Sequence, residues 1–159
     1  HGERLALNGK NGSGKSSLLK LILGEDIKKT GTISIGSGLI ISYVSQDTSH
    51  LSGTLSDYAS QCRIDESLFK AILRKLDFER IQFTKDMAQF SGGQKKKVLI
   101  AKSLCEQAHL YLWDEPLNFI DIYSRMQIEQ LILYFRPTMI FVEHDRAFRE
   151  TIATKTLEL

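Results

Sequence analysis

Three glycines, a lysine and a serine near the start of the chain have the spacing of a loop that binds phosphate groups. The run is Gly9-Lys10-Asn11-Gly12-Ser13-Gly14-Lys15-Ser16, which fits the pattern G-x-x-x-x-G-K-[ST] at each fixed position. Glycines let consecutive backbone N–H groups turn inward around a polyphosphate. Lys15 can then reach the β- and γ-phosphates, and the Ser16 hydroxyl can ligate Mg²⁺. The loop therefore predicts binding of a nucleoside triphosphate with Mg²⁺.

Further polar residues follow predicted strands, where open α/β sheets place their ligands. Asp114 ends an apolar run and can hold Mg²⁺ directly or through water. Its neighbour Glu115 can orient the attacking water or accept its proton. Gln46 can reach a metal ion or a water through its amide, and His144 can hydrogen-bond the γ-phosphate or the water. Alone, Asp114 and Glu115 are equally typical of a loop or a helix cap, Gln46 is more typical of a solvated loop, and a lone histidine is more often structural. The phosphate loop favours the chemical interpretation, and for His144 its position after a buried strand does so.

A second phosphate-binding surface is predicted far along the chain. Ser91-Gly92-Gly93-Gln94 begins a predicted helix and offers a hydroxyl, free N–H groups and the helix dipole to an anion. Its distance in sequence from the first loop indicates a separate surface.

The elements that must position these residues alternate between strand and helix, which predicts an α/β fold with a mostly parallel sheet and flanking helices. Predicted strands are 4–7, 109–113, 138–142 and 156–159, and 31–35 and 39–44 are expected to form a β-hairpin. Predicted helices are 15–23, 54–63, 65–76, 94–106 and 121–135, with a loop at 77–90. Asp65 and Asp121 are expected as N-caps. The last of these helices is expected to bury Ile122, Met126, Ile128, Leu131, Ile132 and Phe135.

Composition excludes several classes of protein. The 159 residues are 42% hydrophobic and 25% charged, which argues against disorder, and a net charge of +2 does not by itself predict a nucleic-acid or membrane partner. Cys62 and Cys105 match no metal-binding spacing. No run reaches membrane-spanning length and no secretory signal is present, so the chain is expected to be cytoplasmic. It begins at His1, which indicates a piece of a longer protein.

The order of the motifs resembles the nucleotide-binding domain of the ATP-binding cassette (ABC) superfamily. Gly9–Ser16 resembles Walker A, Gln46 the Q-loop, Phe90–Gln94 the signature motif, and Leu110–Asp114 Walker B, followed by a catalytic glutamate at Glu115, a D-loop at 116–121 and a switch histidine at His144. The resemblance implies a P-loop ATPase that uses ATP and Mg²⁺. Its implied metal ligands are Ser16, Gln46 and Asp114, its catalytic residues Glu115, His144 and Gln46, and its nucleotide contacts Gly9, Asn11, Gly12, Ser13, Gly14, Lys15, Ser16, Ser17, Asp114, Ser91, Gly92, Gly93 and Gln94.

Family likeness also implies the domain layout. Residues 1–159 would form one cassette with a helical subdomain at about 53–90 and an N-terminally truncated antiparallel β-subdomain. Two cassettes, from one parent chain or a homodimer, would pair head to tail, so that Ser91 and Gly93 serve the partner's ATP. The adenine-stacking aromatic residue is expected upstream of His1, which predicts weak nucleotide binding and negligible turnover for this piece alone. Phe90 and Leu117 depart from the usual Leu and Thr of many relatives.

The signature and D-loop sequences resemble the F subfamily, particularly the second cassette of its antibiotic-resistance ribosome-protection branch. That resemblance implies action on the ribosome. Lys95, Lys96 and Lys97 are then candidates for rRNA contacts, although a solvated helix face is the better-supported interpretation. Two alternatives stay open: the ATPase subunit of a membrane transporter, and a non-hydrolytic ATP-gated module, against which Glu115 argues.

Overall fold

Five parallel strands form one sheet in the computed structural model, which describes all 159 residues. The spatial order is β2-β3-β4-β1-β5, and each neighbouring pair is parallel. Parallel neighbours require crossovers, and helices supply them. This confirms the predicted α/β class. The strands are β1 (Arg4–Asn8), β2 (Ile41–Val44), β3 (Leu110–Asp114), β4 (Met139–Val142) and β5 (Lys155–Glu158).

Six α-helices surround the sheet, and side chains cap five of them. Thr54, Asp65, Ser91, Asp121 and Asp145 each accept a backbone N–H in the first turn of the helix that follows, which confirms the predicted caps at Asp65 and Asp121. None of these helices has both the length and the apolar character needed to cross a membrane. They are α1 (Lys15–Ile22), α2 (Leu55–Gln61), α3 (Glu66–Lys75), α4 (Gly92–Cys105), α5 (Ile122–Phe135) and α6 (Arg146–Ile152).

Apolar side chains cover both faces of the sheet. On one face, Leu19 of α1 packs with Leu7, Leu112 and Val142 in a cluster of four buried residues. The alternate strand residues point to the opposite face, where 24 buried residues from the sheet and the other helices form the main core. This core is continuous from Phe141 in β4 to Phe69 in α3. Whether residues 53–90 form a separate subdomain stays a prediction.

The predicted β-hairpin is wrong. Residues 31–35 form no strand, and β2 pairs in parallel with β3 instead of antiparallel with a hairpin partner. A two-stranded hairpin alone gains little stability, whereas β2 next to β3 buries Ser42 and Val44. Ile33, Ile35, Leu39 and Ile40 are left exposed.

Two further predictions need correction. The segment predicted as a loop at 77–90 contains two 3-10 helices, Arg80–Thr84 and Met87–Gln89, because Glu79 and Asp86 cap them. In α5 only Ile128, Leu131 and Ile132 of the predicted apolar side are buried, whereas Ile122, Met126 and Phe135 are exposed. A helix that packs on one side of a sheet buries only part of its circumference, and the sequence carries apolar residues beyond that part.

Candidate functional site

The phosphate-binding sequence forms a loop between β1 and α1. Gly9, Gly12 and Gly14 all have positive φ, a conformation that favours glycine. A side chain at Gly12 or Gly14 would meet no atom within 4 Å, so their backbone faces open space. Gly9 differs, because a Cβ there would lie 2.7 Å from the Leu159 carbonyl oxygen. The loop is therefore tight on its inner side and accessible on its outer side.

Lys15 is a buried cation without an acidic partner. Its side chain is 7% exposed and its Nζ donates hydrogen bonds to the carbonyls of Gly9, at 2.7 Å, and Lys10, at 2.9 Å. No carboxylate lies within ion-pair distance of it, although burying an uncompensated charge is unfavourable. An anion bound in the loop would supply the missing negative charge, so the loop fits a phosphate group.

Ser16, Gln46 and Asp114 come from three different elements and meet beside the loop. Gln46 Nε2 donates to Asp114 Oδ1 at 3.0 Å and lies 3.3 Å from Ser16 Oγ. Asp114 is 2% exposed at the end of β3. Oxygen atoms of this kind are the ligands that Mg²⁺ prefers, usually with phosphate oxygens and water completing the shell. No three His, Cys, Asp or Glu side chains converge on a metal position, so this site would need those additional ligands.

Glu115 and His144 form a hydrogen-bonded pair. His144 Nε2 lies 2.9 Å from Glu115 Oε1, and Asn118 Nδ2 donates to Glu115 Oε2 at 2.9 Å. Burial acts to raise the pKa of Glu115, but the hydrogen bonds from Asn118 and His144 outweigh it and lower that pKa. The ionised carboxylate can only accept, so the proton of the pair resides on His144 Nε2.

Several of these residues line one cleft at the carboxyl end of the sheet. Most predicted phosphate-loop residues line it, together with one residue each from the loops after β2 and β3. The lining residues are Asn11, Gly12, Gly14, Lys15, Ser16, Ser17, Gln46 and Glu115. Ser13 lies within the same loop, where its N–H donates to the Lys10 carbonyl.

Ser91, Gly92, Gly93 and Gln94 do not line this cleft. They begin α4 with a capping box, in which the Gln94 N–H donates to Ser91 Oγ and the Ser91 N–H donates to Gln94 Oε1. Phe119 lies against the two glycines: its ring is 3.5 Å from a Cβ built on Gly92, and a Cβ on Gly93 would overlap its carbonyl oxygen. The predicted second surface is thus shaped by the loop after β3.

Lys96 and Lys97 fit neither of the two interpretations given above, an rRNA contact or a solvated helix face. Lys96 is 1% exposed, and its Nζ donates to the carbonyls of Ser45, at 2.8 Å, and Gln46, at 3.3 Å. Lys97 is also buried and lies 3.5 Å from Asp121. Neither is on a solvated helix face or available to RNA phosphates, because Lys96 is bonded to the loop after β2 and Lys97 lies beside Asp121.

Sequence reasoning missed three residues of the site: Lys96, Asn118 and Glu143. Glu143 is a buried acid directly after β4, and Asn118 lies three residues after Glu115. A charged residue directly after an apolar strand was an available signal for Glu143. No local pattern marks Lys96, since its partners lie 50 and 51 residues away.

Comparisons with known proteins agree with this geometry. The sequence model of the family described as "ABC transporter" matches residues 1–118. ATP-binding protein Uup of Buchnera aphidicola (subspecies Acyrthosiphon pisum, strain APS) is 35% identical over 98% of the chain, and ABC transporter F family member 2 of Arabidopsis thaliana is 31% identical over 99%. Ribosome protection protein VmlR of Bacillus subtilis strain 168 is 30% identical over 99%.

The chain spans about a quarter of these relatives, covering 27%, 24% and 29% of their lengths. Among solved structures, the one named RNase-L Inhibitor superposes with a TM-score of 0.83 and 26% identity, over 99% of this chain and 32% of that one.

Proposed function

The chain belongs to the ABC transporter family, and we propose that it is an ATP-hydrolysing cassette of a protein of the F subfamily that acts on the ribosome. ATP binding is a property of this family. The observation that carries the proposal is the convergence of Lys15, the Ser16–Gln46–Asp114 group and the Glu115–His144 pair at one edge of the sheet.

In this proposal each group has a distinct role. The loop N–H groups and Lys15 bind and orient the phosphates, while Ser16, Gln46 and Asp114 would hold Mg²⁺. When bound, that ion neutralises charge on the β- and γ-phosphate oxygens. Glu115 orients a water molecule and accepts its proton as the water oxygen bonds to the γ-phosphorus and the bond to ADP breaks. His144 holds the Glu115 carboxylate in place.

Pairing with a second cassette is part of the proposal. Ser91 Oγ accepts the Gln94 N–H but donates to no group in this chain, so its hydrogen is available to a phosphate from outside. Because Ser91 and Gly93 lie away from the phosphate-loop cleft, they would serve the ATP of a partner. We propose a partner from the same parent chain or from a second copy.

Ribosome action is supported by the relatives, among them one named as a ribosome protection protein. A transporter ATPase is the alternative that the family description supports. The test is co-sedimentation of the native protein with ribosomes, using Glu115→Gln to retain ATP and Lys15→Ala as the control that cannot bind it. We expect ATP-dependent co-sedimentation for Glu115→Gln and none for Lys15→Ala.

Co-purification with a membrane permease, without ribosome binding, would favour the transporter alternative. No ATP turnover in the native protein, together with no effect of Glu115→Gln, would favour a non-hydrolytic module and contradict the assignment of Glu115.

A further inference from the structure

One buried carboxylate joins the two loops that carry Glu115 and His144. Glu143 directly follows β4 and is 5% exposed. Its Oε2 accepts the Leu117 N–H at 3.1 Å, which belongs to the loop after β3. Its Oε1 accepts the N–H groups of His144, at 2.8 Å, and Asp145, at 3.3 Å, in the loop after β4. Both carboxylate oxygens are therefore engaged, each by a different loop.

No lysine or arginine forms an ion pair with Glu143. A buried carboxylate is unfavourable unless hydrogen bonds compensate it, and here three backbone donors do so. The Lys96 ammonium interacts with this charge at longer range. Burial lowers the pKa of Lys96, and the negative charges of Asp114, Glu115, Glu143 and Asp47 act in the opposite direction. Backbone N–H groups thus hold the Glu143 carboxylate, and the carboxylate in turn fixes the positions of these N–H groups.

The two loops also meet through their side chains. Glu115 has a left-handed backbone, with φ of 49°, and its N–H donates to the Val142 carbonyl at 2.8 Å. Its carboxylate faces His144 Nε2. Leu117 is two residues after Glu115, and the His144 N–H is itself a donor to Glu143. Glu143 therefore anchors the backbone on both sides of the Glu115–His144 hydrogen bond.

We propose that Glu143 is a positioning residue that sets the Glu115–His144 pair, acting through the backbone of both loops. Its importance for turnover rests on the proposed ATPase function, whereas the backbone link does not. A carboxylate is required because it has two accepting oxygens. Glutamine has one accepting oxygen, so it can accept from the Leu117 N–H or from the His144 N–H but not from both. Its NH₂ group would then face the other backbone N–H, which is also a donor.

The first measurement is amide hydrogen exchange by NMR on the chain, in Glu143→Gln and Glu143→Ala. In Glu143→Ala we expect both the Leu117 and the His144 amides to exchange about tenfold faster or more, because each loses a bond to a charged acceptor. In Glu143→Gln we expect this for at least one of the two amides, because one acceptor oxygen remains. The Glu115 amide, bonded to the Val142 carbonyl, is the internal reference. Glu150→Gln is the matched control, since that exposed acid pairs only with Arg146.

The second measurement is steady-state ATP turnover of the native protein. For Glu143→Gln we expect kcat to fall about ten- to a hundredfold through misplacement of the pair, with KM for ATP within about twofold because the phosphate loop is untouched. A purely structural defect would instead lower the amount of folded protein and leave kcat per folded site unchanged.

In Glu143→Ala, faster exchange in only one loop or in neither would overturn the proposal. If that variant does not fold, Glu143→Gln decides, and faster exchange in neither loop would overturn it. Unchanged kcat with faster exchange in both loops would also overturn it. If the native protein shows no turnover, the proposed function fails, and the exchange data still decide whether Glu143 links the loops.

Discussion

Lys96 is buried, whereas lysine side chains usually lie at the protein surface. Its ammonium group lies inside the protein and links α4, which Ser91 caps, to the backbone of the loop that carries Gln46. Gln46 in turn reaches Ser16 and Asp114. A lysine in the helix that begins at the predicted second surface thus bonds to the loop whose Gln46 side chain contacts the predicted metal ligands.

Replacing Lys96 with methionine should lower the free energy of unfolding by about 1–3 kcal/mol, because the Ser45 and Gln46 carbonyls lose their donor. Urea denaturation monitored by circular dichroism measures this value. Lys95→Met is the matched control, since Lys95 makes no side-chain bond, and we expect a change within about 0.5 kcal/mol. Equal effects of the two substitutions would contradict the assigned role.

The Cys105 thiol should react slowly with alkylating reagents. Burial, with smaller contributions from Asp65 and Glu106, raises its pKa from 9.0 to about 12. At pH 9 the folded chain therefore holds a neutral thiol where the unfolded chain has begun to ionise, so this group reduces stability as pH rises above 9 and not below it. We expect alkylation of Cys105 by iodoacetamide at pH 9 to be at least about tenfold slower in the folded chain than in urea. Comparable rates would refute this.

At the scale of the elements, α5 illustrates how local sequence fixes a boundary. Asp121 accepts the Ser124 N–H and the Ser124 hydroxyl, and Lys97 lies 3.5 Å away. Burial acts to raise the pKa of Asp121, but the hydrogen bonds from Ser124 and the positive charge of Lys97 outweigh burial and lower this pKa. The start of α5 was therefore predictable from one residue, because a capping side chain acts on its own next turn.

Asp121→Ala should cost about 1 kcal/mol of stability, the usual loss for an N-cap. The same measurement on Asp26→Ala, which removes an exposed acid without hydrogen bonds, should show almost no change. Since the Asp121 pKa is lowered in the folded state, its contribution is present above its ordinary pKa of 3.8 and disappears as pH falls through the lower, folded value. A cost that persists in acid below that value would contradict this account.

Which elements could be predicted from sequence depends on where their partners lie. The phosphate loop, the strands that precede the site residues and the helix caps at Asp65 and Asp121 depend on neighbours within a few positions, and these were predicted. Pairing of β2 with β3, the burial of Lys96 and the role of Glu143 depend on residues at least 26 positions away. Local patterns carry no information about such contacts, so these features needed the fold.

At the scale of the whole molecule, the outward face of α5 carries no charge. Ile122, Tyr123, Met126, Leu133 and Tyr134 are all exposed, with Ile122 at 77% and Tyr134 at 81%, and Phe119 just before the helix is at 84%. Exposed helices usually carry charges on this side, and extended apolar surface promotes association.

We expect the double substitution Met126→Lys and Tyr134→Lys to keep the chain monomeric to higher concentrations without lowering its unfolding midpoint. Sedimentation velocity over a concentration series measures this. Placing the same two lysines at the exposed Ser60 and Gln61 controls for net charge. If both double variants behave alike, the apolar face is not responsible.

The contact between Gly93 and the Phe119 carbonyl oxygen restricts which sequences this fold can accept. Every amino acid at position 119 has the same carbonyl, so no substitution there can make room for a side chain at position 93. The glycine is therefore required by the main chain of a second loop, independently of any ligand. A descendant that lost all catalytic activity but kept this packing would still need glycine at position 93. Glycine at this position in a related sequence would therefore indicate that the fold is kept, and not that the protein is active.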